Sequence, residues 1–113
     1  MLNLRCCVND IADAASCVHH LAEEGLIDPK KVGVTGHLAG GYATMQAFGK
    51  FRDTWAAGIV ESGTSNMQAM FDESHKFKFQ YLQPLCFKIG TPLADRKCII
   101  DERNPMRWIQ NID

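Results

Sequence analysis

The chain has 113 residues, of which 12 are Lys or Arg and 13 are Asp or Glu, so its formal net charge is −1, and 46% of it is hydrophobic. This composition is typical of a globular protein and excludes an intrinsically disordered chain. Because the charges balance and no basic run alternates with aromatic residues, the sequence does not predict nucleic-acid binding.

Neither the membrane nor the secretory pathway is indicated. No uncharged stretch approaches the roughly 18 apolar residues of a spanning helix, and the first residues lack the charged and then apolar pattern of a secretory signal. We therefore expect a cytoplasmic location. The odd number of cysteines, without a repeated spacing, predicts reduced thiols that mostly pack in the interior. They are Cys6, Cys7, Cys17, Cys86 and Cys98.

The first predicted elements are a helix and a strand. Apolar residues recur at three- and four-residue steps between Val8 and Ala22, which predicts an amphipathic helix. Gly25 is the expected end of that helix. Residues 31–35 are mostly uncharged and β-branched, which predicts a buried strand.

A second helix and a second strand follow. Small and unbranched residues predict a helix over 39–48 that ends at Gly49, and residues 55–60 have the character of another buried strand. This alternation indicates an α/β fold with a parallel sheet and crossover helices. Because two buried strands need further neighbours, we expect the sheet to be incomplete at both ends of the chain. Its exposed edges would then favour self-association.

The last part of the chain is less regular. Residues 66–71 suit a short helix, whereas 77–82 suit a strand or a helix equally well. Asn104 followed by Pro105 is typical of a helix start and predicts a short helix through Ile109. Several aromatic side chains are expected to pack in the core or against a larger domain, namely Trp55, Phe77, Phe79, Tyr81 and Trp108.

The most informative segment is the glycine-rich corner between the first strand and the second helix. Gly36 and Gly40 have the spacing of a nucleophile elbow, in which G-x-S-x-G holds a serine at a tight strand-to-helix turn. Side chains at these two glycines would be expected to collide, and Gly41 would let the helix lie close to the strand. The residue at the tip is Leu38.

Around this corner the sequence resembles the prolyl oligopeptidase family of α/β-hydrolase serine peptidases, particularly its acylaminoacyl-peptidase and dipeptidyl-peptidase-like branches. The resemblance extends over nearly the whole chain and is most specific through the elbow. It implies that residues 1–113 are the central fragment of an α/β-hydrolase catalytic domain, so that the chain has a partial α/β-hydrolase fold. The segments that carry it are 8–10, 25–36, 39–44, 56–60 and 104–106.

The resemblance also implies roles for single residues. Members of the family cleave short peptides with a Ser, an Asp and a His in that chain order, without a metal or other cofactor. Leu38 would occupy the nucleophile position, and the backbone N–H of Ala39 would form half of the oxyanion hole. The Asp and His would follow strands beyond Asp113, and the other half of the oxyanion hole would precede Met1.

The residues present do not rebuild a catalytic pair. Leucine has no group that can attack a carbonyl. By alternation His37 is expected to point away from the tip, and no acidic residue is suitably placed to orient His75. We therefore expect a chain without hydrolytic activity, either a disabled peptidase or a non-catalytic protein that binds a full-length relative.

The same corner has an alternative interpretation as a dinucleotide-binding turn. Glu61 follows it by about twenty residues, where an acidic group could hold a ribose. Against this, the third glycine of that motif would fall on Tyr42 or later, and a helix already precedes the strand.

Two further sites are possible but less favoured. One side of the first helix carries polar residues that could collect a metal, although no second element supplies matching ligands. They are Asp13, Cys17, His20 and Glu24. Ser62 could replace the missing nucleophile, but it lacks the flanking glycines of an elbow.

Overall fold

The computed structural model describes residues 8–73, 75–77, 84, 86–88 and 90–111. Helices and strands alternate in them as the α/β prediction requires. The α-helices and strands are α1 (Asn9–Glu23), β1 (Gly33–His37), α2 (Ala39–Lys50), β2 (Ala57–Glu61), α3 (Met67–Asp72) and α4 (Leu93–Glu102). Short 3-10 helices span Pro29–Lys31, Arg52–Thr54 and Pro105–Asn111.

Helix α1 ends as its sequence predicts. Gly25 has a φ of 70°, and its N–H donates to the carbonyl of Ala22 at 3.0 Å. The N–H of Leu26 donates to the carbonyl of Leu21 at 3.0 Å. These two bonds and the left-handed glycine form a Schellman motif, which satisfies carbonyls that the helix end leaves free.

The two strands form a parallel pair, which confirms the predicted sheet. Their register runs from Gly33 opposite Ala57 to His37 opposite Glu61, and α2 connects the strands and packs against both. Each strand begins later than predicted because a 3-10 helix takes the preceding residues. Lys31 lies in the first of these 3-10 helices, and Trp55 caps the second.

The prediction that both strands are buried was wrong. All five residues of β2 are exposed, and Ile59 is 61% exposed. Strand β1 alternates between exposed and half-buried residues. Within the described residues β2 pairs only with β1, so its outer edge is left uncovered.

Gly49 does not end α2, contrary to the prediction. The helix continues to Lys50, and Gly49 is buried inside it. A Cβ on Gly49 would lie 2.3 Å from the Cβ of Trp108, and the Asn111 side chain donates to the Gly49 carbonyl at 3.2 Å. The glycine therefore makes room for the C-terminal 3-10 helix.

Two C-terminal helices begin with an Asn cap, of which the sequence predicted the one at Asn104. The Asn66 side chain accepts a hydrogen bond from Ala69 N at 3.2 Å at the start of α3, and Asn104 accepts one from Met106 N at 3.0 Å. The helix that follows Asn104 is of the 3-10 type and extends to Asn111, beyond the predicted end at Ile109. Helix α4 was not predicted, and residues 78–82 of the undecided segment lie outside the described residues.

The core lies between the helices. It contains Ile11, Ala15, Tyr42, Ala47, Trp55, Met67, Phe71, Cys86, Phe87 and Ile100. Trp55 is buried and Trp108 half-buried as expected, whereas Phe77 is 69% exposed. Phe79 and Tyr81 lie outside the described residues.

The cysteines depart from the prediction of interior packing. In the described part of the chain Cys17 and Cys98 are exposed, and only Cys86 is buried. Cys6 and Cys7 lie outside it.

No helix in the described residues is long and apolar enough to cross a membrane.

Candidate functional site

A single residue makes the turn from strand to helix. Strand β1 ends at His37 and α2 begins at Ala39, so Leu38 alone reverses the chain. Its φ of 52° and ψ of −111° lie near the first central position of a type II′ turn, which favours glycine. The side chain is 55% exposed. The chain thus keeps the backbone of a tight elbow and presents a leucine at its tip.

Two glycines are sterically required at this corner. A Cβ on Gly36 would lie 2.1 Å from the carbonyl oxygen of Gly40, and a Cβ on Gly41 would lie 2.8 Å from the Cα of Gly63. The collision expected at Gly40 is not found, because a Cβ there would meet no described atom within 4 Å. Gly40 contributes its backbone, against which Gly36 packs.

Backbone hydrogen bonds hold both sides of the tip. The N–H of Leu38 donates to the carbonyl of Glu61 at 3.0 Å, which extends the contact between the strands beyond β1. The carbonyl of Leu38 accepts from Tyr42 N at 3.1 Å and closes the first turn of α2. As the first residue of α2, Ala39 has an N–H without an acceptor inside the helix. This is the type of donor that an oxyanion hole uses.

A second strained turn lies beside the elbow. Ser62 directly follows β2 and has a φ of 49°, and Gly63 approaches the backbone of Gly41. Sequence reasoning missed the structural part that this turn plays. A Ser-Gly pair after a strand signals a turn, but its contact with the elbow joins residues about twenty positions apart, which local spacing does not reveal.

The remaining candidates do not form a second catalytic group. His37 pairs in register with Glu61, and both are exposed. The ring of His75 stacks on Phe77 with centroids 5.3 Å apart. Across the described ranges, no three or more His, Cys, Asp or Glu residues are placed to hold a metal ion. Asp13, Cys17, His20 and Glu24 of the first helix lie in these ranges and form no such group.

Comparisons with known proteins agree with the geometry of the elbow. Residues 2–96 match the profile of the prolyl oligopeptidase family, whereas no curated protein matches the chain. A puromycin-hydrolyzing peptidase from Mycobacterium tuberculosis superimposes with a TM-score of 0.85 and 29% identity over 97% of this chain. Puromycin hydrolase gives 0.83 and 27% over 98%, as does its serine-to-alanine mutant complexed with PGG.

The matches also define how much of the fold the chain contains. It spans 16% of the length of each of these solved structures. The family profile covers most of the chain and includes both strands and the elbow. The chain therefore belongs to the prolyl oligopeptidase family and has a partial α/β-hydrolase fold.

Proposed function

We propose that this chain is the central, elbow-bearing part of a prolyl-oligopeptidase-type catalytic domain in which Leu38 occupies the nucleophile position. Peptides are the substrate class of the intact domain, and the chain itself does not cleave them. Membership of a peptidase family and similarity to solved peptidases support this assignment.

The backbone of Leu38 is the observation that carries the proposal. A non-glycine residue in such a conformation costs about 1 to 3 kcal/mol and is typical of functional sites. In a hydrolase the cost is offset by function, because the turn exposes a serine hydroxyl to the substrate. Leu38 keeps the conformation but supplies no nucleophilic oxygen, so no acyl-enzyme can form.

The N–H of Ala39 alone does not restore turnover. A donor in an oxyanion hole stabilises charge that develops after a nucleophile attacks. Removal of a triad member leaves only the residual catalysis that comes from binding and the oxyanion hole. The proposed chain can therefore still bind a carbonyl group at the elbow, but it does not open the peptide bond.

The same geometry favours a hydrolase elbow over a dinucleotide-binding turn. The tip has a positive φ at a non-glycine residue, as a nucleophile elbow requires, and the family contains peptidases. The dinucleotide interpretation stays a prediction with a direct test. Saturable NAD or NADP binding in calorimetry, weakened by Glu61→Gln, would overturn the hydrolase proposal. The cytoplasmic location likewise stays a prediction.

A segment exchange tests the proposal. Residues 8–73 replace the corresponding segment of puromycin hydrolase, once with Leu38, once with Leu38→Ser and once with Leu38→Ala as the matched control. Labelling by a fluorophosphonate and hydrolysis of puromycin are then measured. We expect activity only with Leu38→Ser, and rates at least about 1,000-fold lower in the other two proteins, because they lack the nucleophile.

Two results would contradict the proposal. Covalent labelling of the protein that carries Leu38, at a rate near that of Leu38→Ser, would show that another residue acts as nucleophile. A folded Leu38→Ser protein without any labelling would show that this corner does not present a serine productively.

A further inference from the structure

Two strained backbones face each other at the carboxyl ends of the two strands. In the described part of the chain, Leu38 and Ser62 are the non-glycine residues with a positive φ. Each directly follows a strand of the parallel pair. Such conformations persist only where the surrounding structure holds them. The contacts between the two turns are therefore the first place to look for what stabilises these conformations.

These contacts are made by backbone atoms. The N–H of Leu38 donates to the carbonyl of Glu61 at 3.0 Å. A Cβ on Gly63 would lie 3.1 Å from the carbonyl carbon of Gly41 and 2.5 Å from Cγ1 of Val60. A side chain at residue 63 would therefore clash with Val60 and crowd the backbone of the elbow at Gly41.

We propose that the turn Glu61–Gly63 is a positioning element for the elbow, with Gly63 as its critical residue. The inference rests on the proposed function. The carbonyl of Glu61 fixes the N–H of residue 38, and the contact between Gly63 and Gly41 fixes the start of α2. Together they set the direction of the side chain at position 38 and of the N–H of Ala39. Gly63 acts through these groups and does not touch the substrate.

The consequence concerns rate more than binding. A nucleophile displaced by a fraction of an ångström loses reactivity steeply, because attack requires a near-attack geometry. A substitution at Gly63 is therefore expected to slow the covalent step while the affinity for a reagent changes little. If Gly63 had only a structural role, its substitution would lower stability and would not slow the covalent step selectively.

The test uses the segment exchange into puromycin hydrolase. In the Leu38→Ser protein, Gly63→Ala is compared with Gly33→Ala, since a Cβ at Gly33 meets Ala57 O only at an ordinary 3.5 Å. For fluorophosphonate labelling we expect Gly63→Ala to reduce the maximal rate at least about tenfold, with the half-saturating concentration unchanged within about twofold. Gly33→Ala should change neither value by more than about twofold.

A second measurement does not depend on activity. In the exchanged puromycin hydrolase that carries Leu38, the rate of amide hydrogen exchange at residue 38 reports the hydrogen bond of its N–H to the Glu61 carbonyl. We expect Gly63→Ala to accelerate this exchange at least about tenfold and Gly33→Ala to leave it unchanged. If the Leu38→Ser protein is never labelled, the proposed function fails, and the exchange rate still decides the positioning inference.

A double variant separates the two contacts of Gly63. Val60→Ala removes the Cγ1 atom that a new Cβ would meet but leaves the backbone of Gly41 in place. We expect Val60→Ala combined with Gly63→Ala to remain slow in labelling and fast in exchange. Recovery of both values in the double variant would overturn the inference, as would an unchanged labelling rate or an unchanged exchange rate in Gly63→Ala.

Discussion

The backbone of Leu38 is set by its neighbours and not by leucine itself. Its φ and ψ lie where glycine is favoured, and its side chain is more than half exposed, so burial offsets little of the conformational cost. The close packing of Gly36 on Gly40 and the hydrogen bond to Glu61 impose the turn. At this scale the conformation of the elbow is a property of the residues around the tip.

This conformational cost can be measured. We expect Leu38→Gly to raise the free energy of unfolding of the chain by about 1 kcal/mol. Relief of strain contributes about 1 to 3 kcal/mol, and the larger entropy of glycine in the unfolded chain opposes it by about 0.5 to 1 kcal/mol. Urea denaturation provides the measurement. Leu38→Ala is the control, because it shortens the side chain and keeps the strain. A Leu38→Gly chain no more stable than Leu38→Ala would show that the turn is not strained.

The sequence predicts the glycine-rich elbow better than it predicts the adjoining turn at Gly63. The spacing of Gly36 and Gly40 indicates a tight corner, because the steric demand at Gly36 comes from the backbone of Gly40 only four residues away. Gly63 carries no such signal, since its partner Gly41 lies far away in the chain and meets it only when the strands pair. The spacing also does not predict that a Cβ is excluded at Gly36 but not at Gly40, because it does not show which of the two residues points at the backbone of the other.

Single elements follow local patterns where no tertiary contact competes with them. The regular apolar spacing of α1 and the glycine after it predict its extent well. Gly49 predicts a helix end, yet the packing of Trp108 lets α2 continue through it. Helix α4 has few buried residues, with Ile100 on its inner side, so its sequence lacks the periodicity that would have revealed it.

The packing of Gly49 leads to a prediction for α2. We expect Gly49→Ala to lower the free energy of unfolding by about 1 to 3 kcal/mol, because its Cβ would collide with the Cβ of Trp108 and overpacking carries a cost of that size. The higher helix propensity of alanine offsets at most about 1 kcal/mol. Gly40→Ala is the matched control in the same helix and should be neutral or stabilising. Thermal and urea unfolding distinguish them, and equal stability of both variants would contradict the packing against Trp108.

For the whole molecule, the alternation of elements predicts the fold class but not how far the sheet is covered. Buried-type strand sequences normally have neighbours on both edges, whereas β2 is exposed along its length. Ile59 and Val60 present apolar side chains there. The local sequence predicts that β2 is buried, but it does not show which residues would cover the strand. The residues that the structure describes do not cover it.

An exposed apolar edge strand leads us to expect self-association of the chain. In the described residues the outer edge of β2 has no strand partner. Such an edge together with exposed Ile59 favours pairing of strands between copies, which a lysine on an edge strand opposes. Sedimentation velocity should show an average mass that rises with concentration, and Ile59→Lys should shift it towards the monomer. Leu93→Lys is the control, because Leu93 is 81% exposed and belongs to α4 and not to the sheet. A chain that is monomeric at every concentration, or an equal effect of Leu93→Lys, would rule out association through β2.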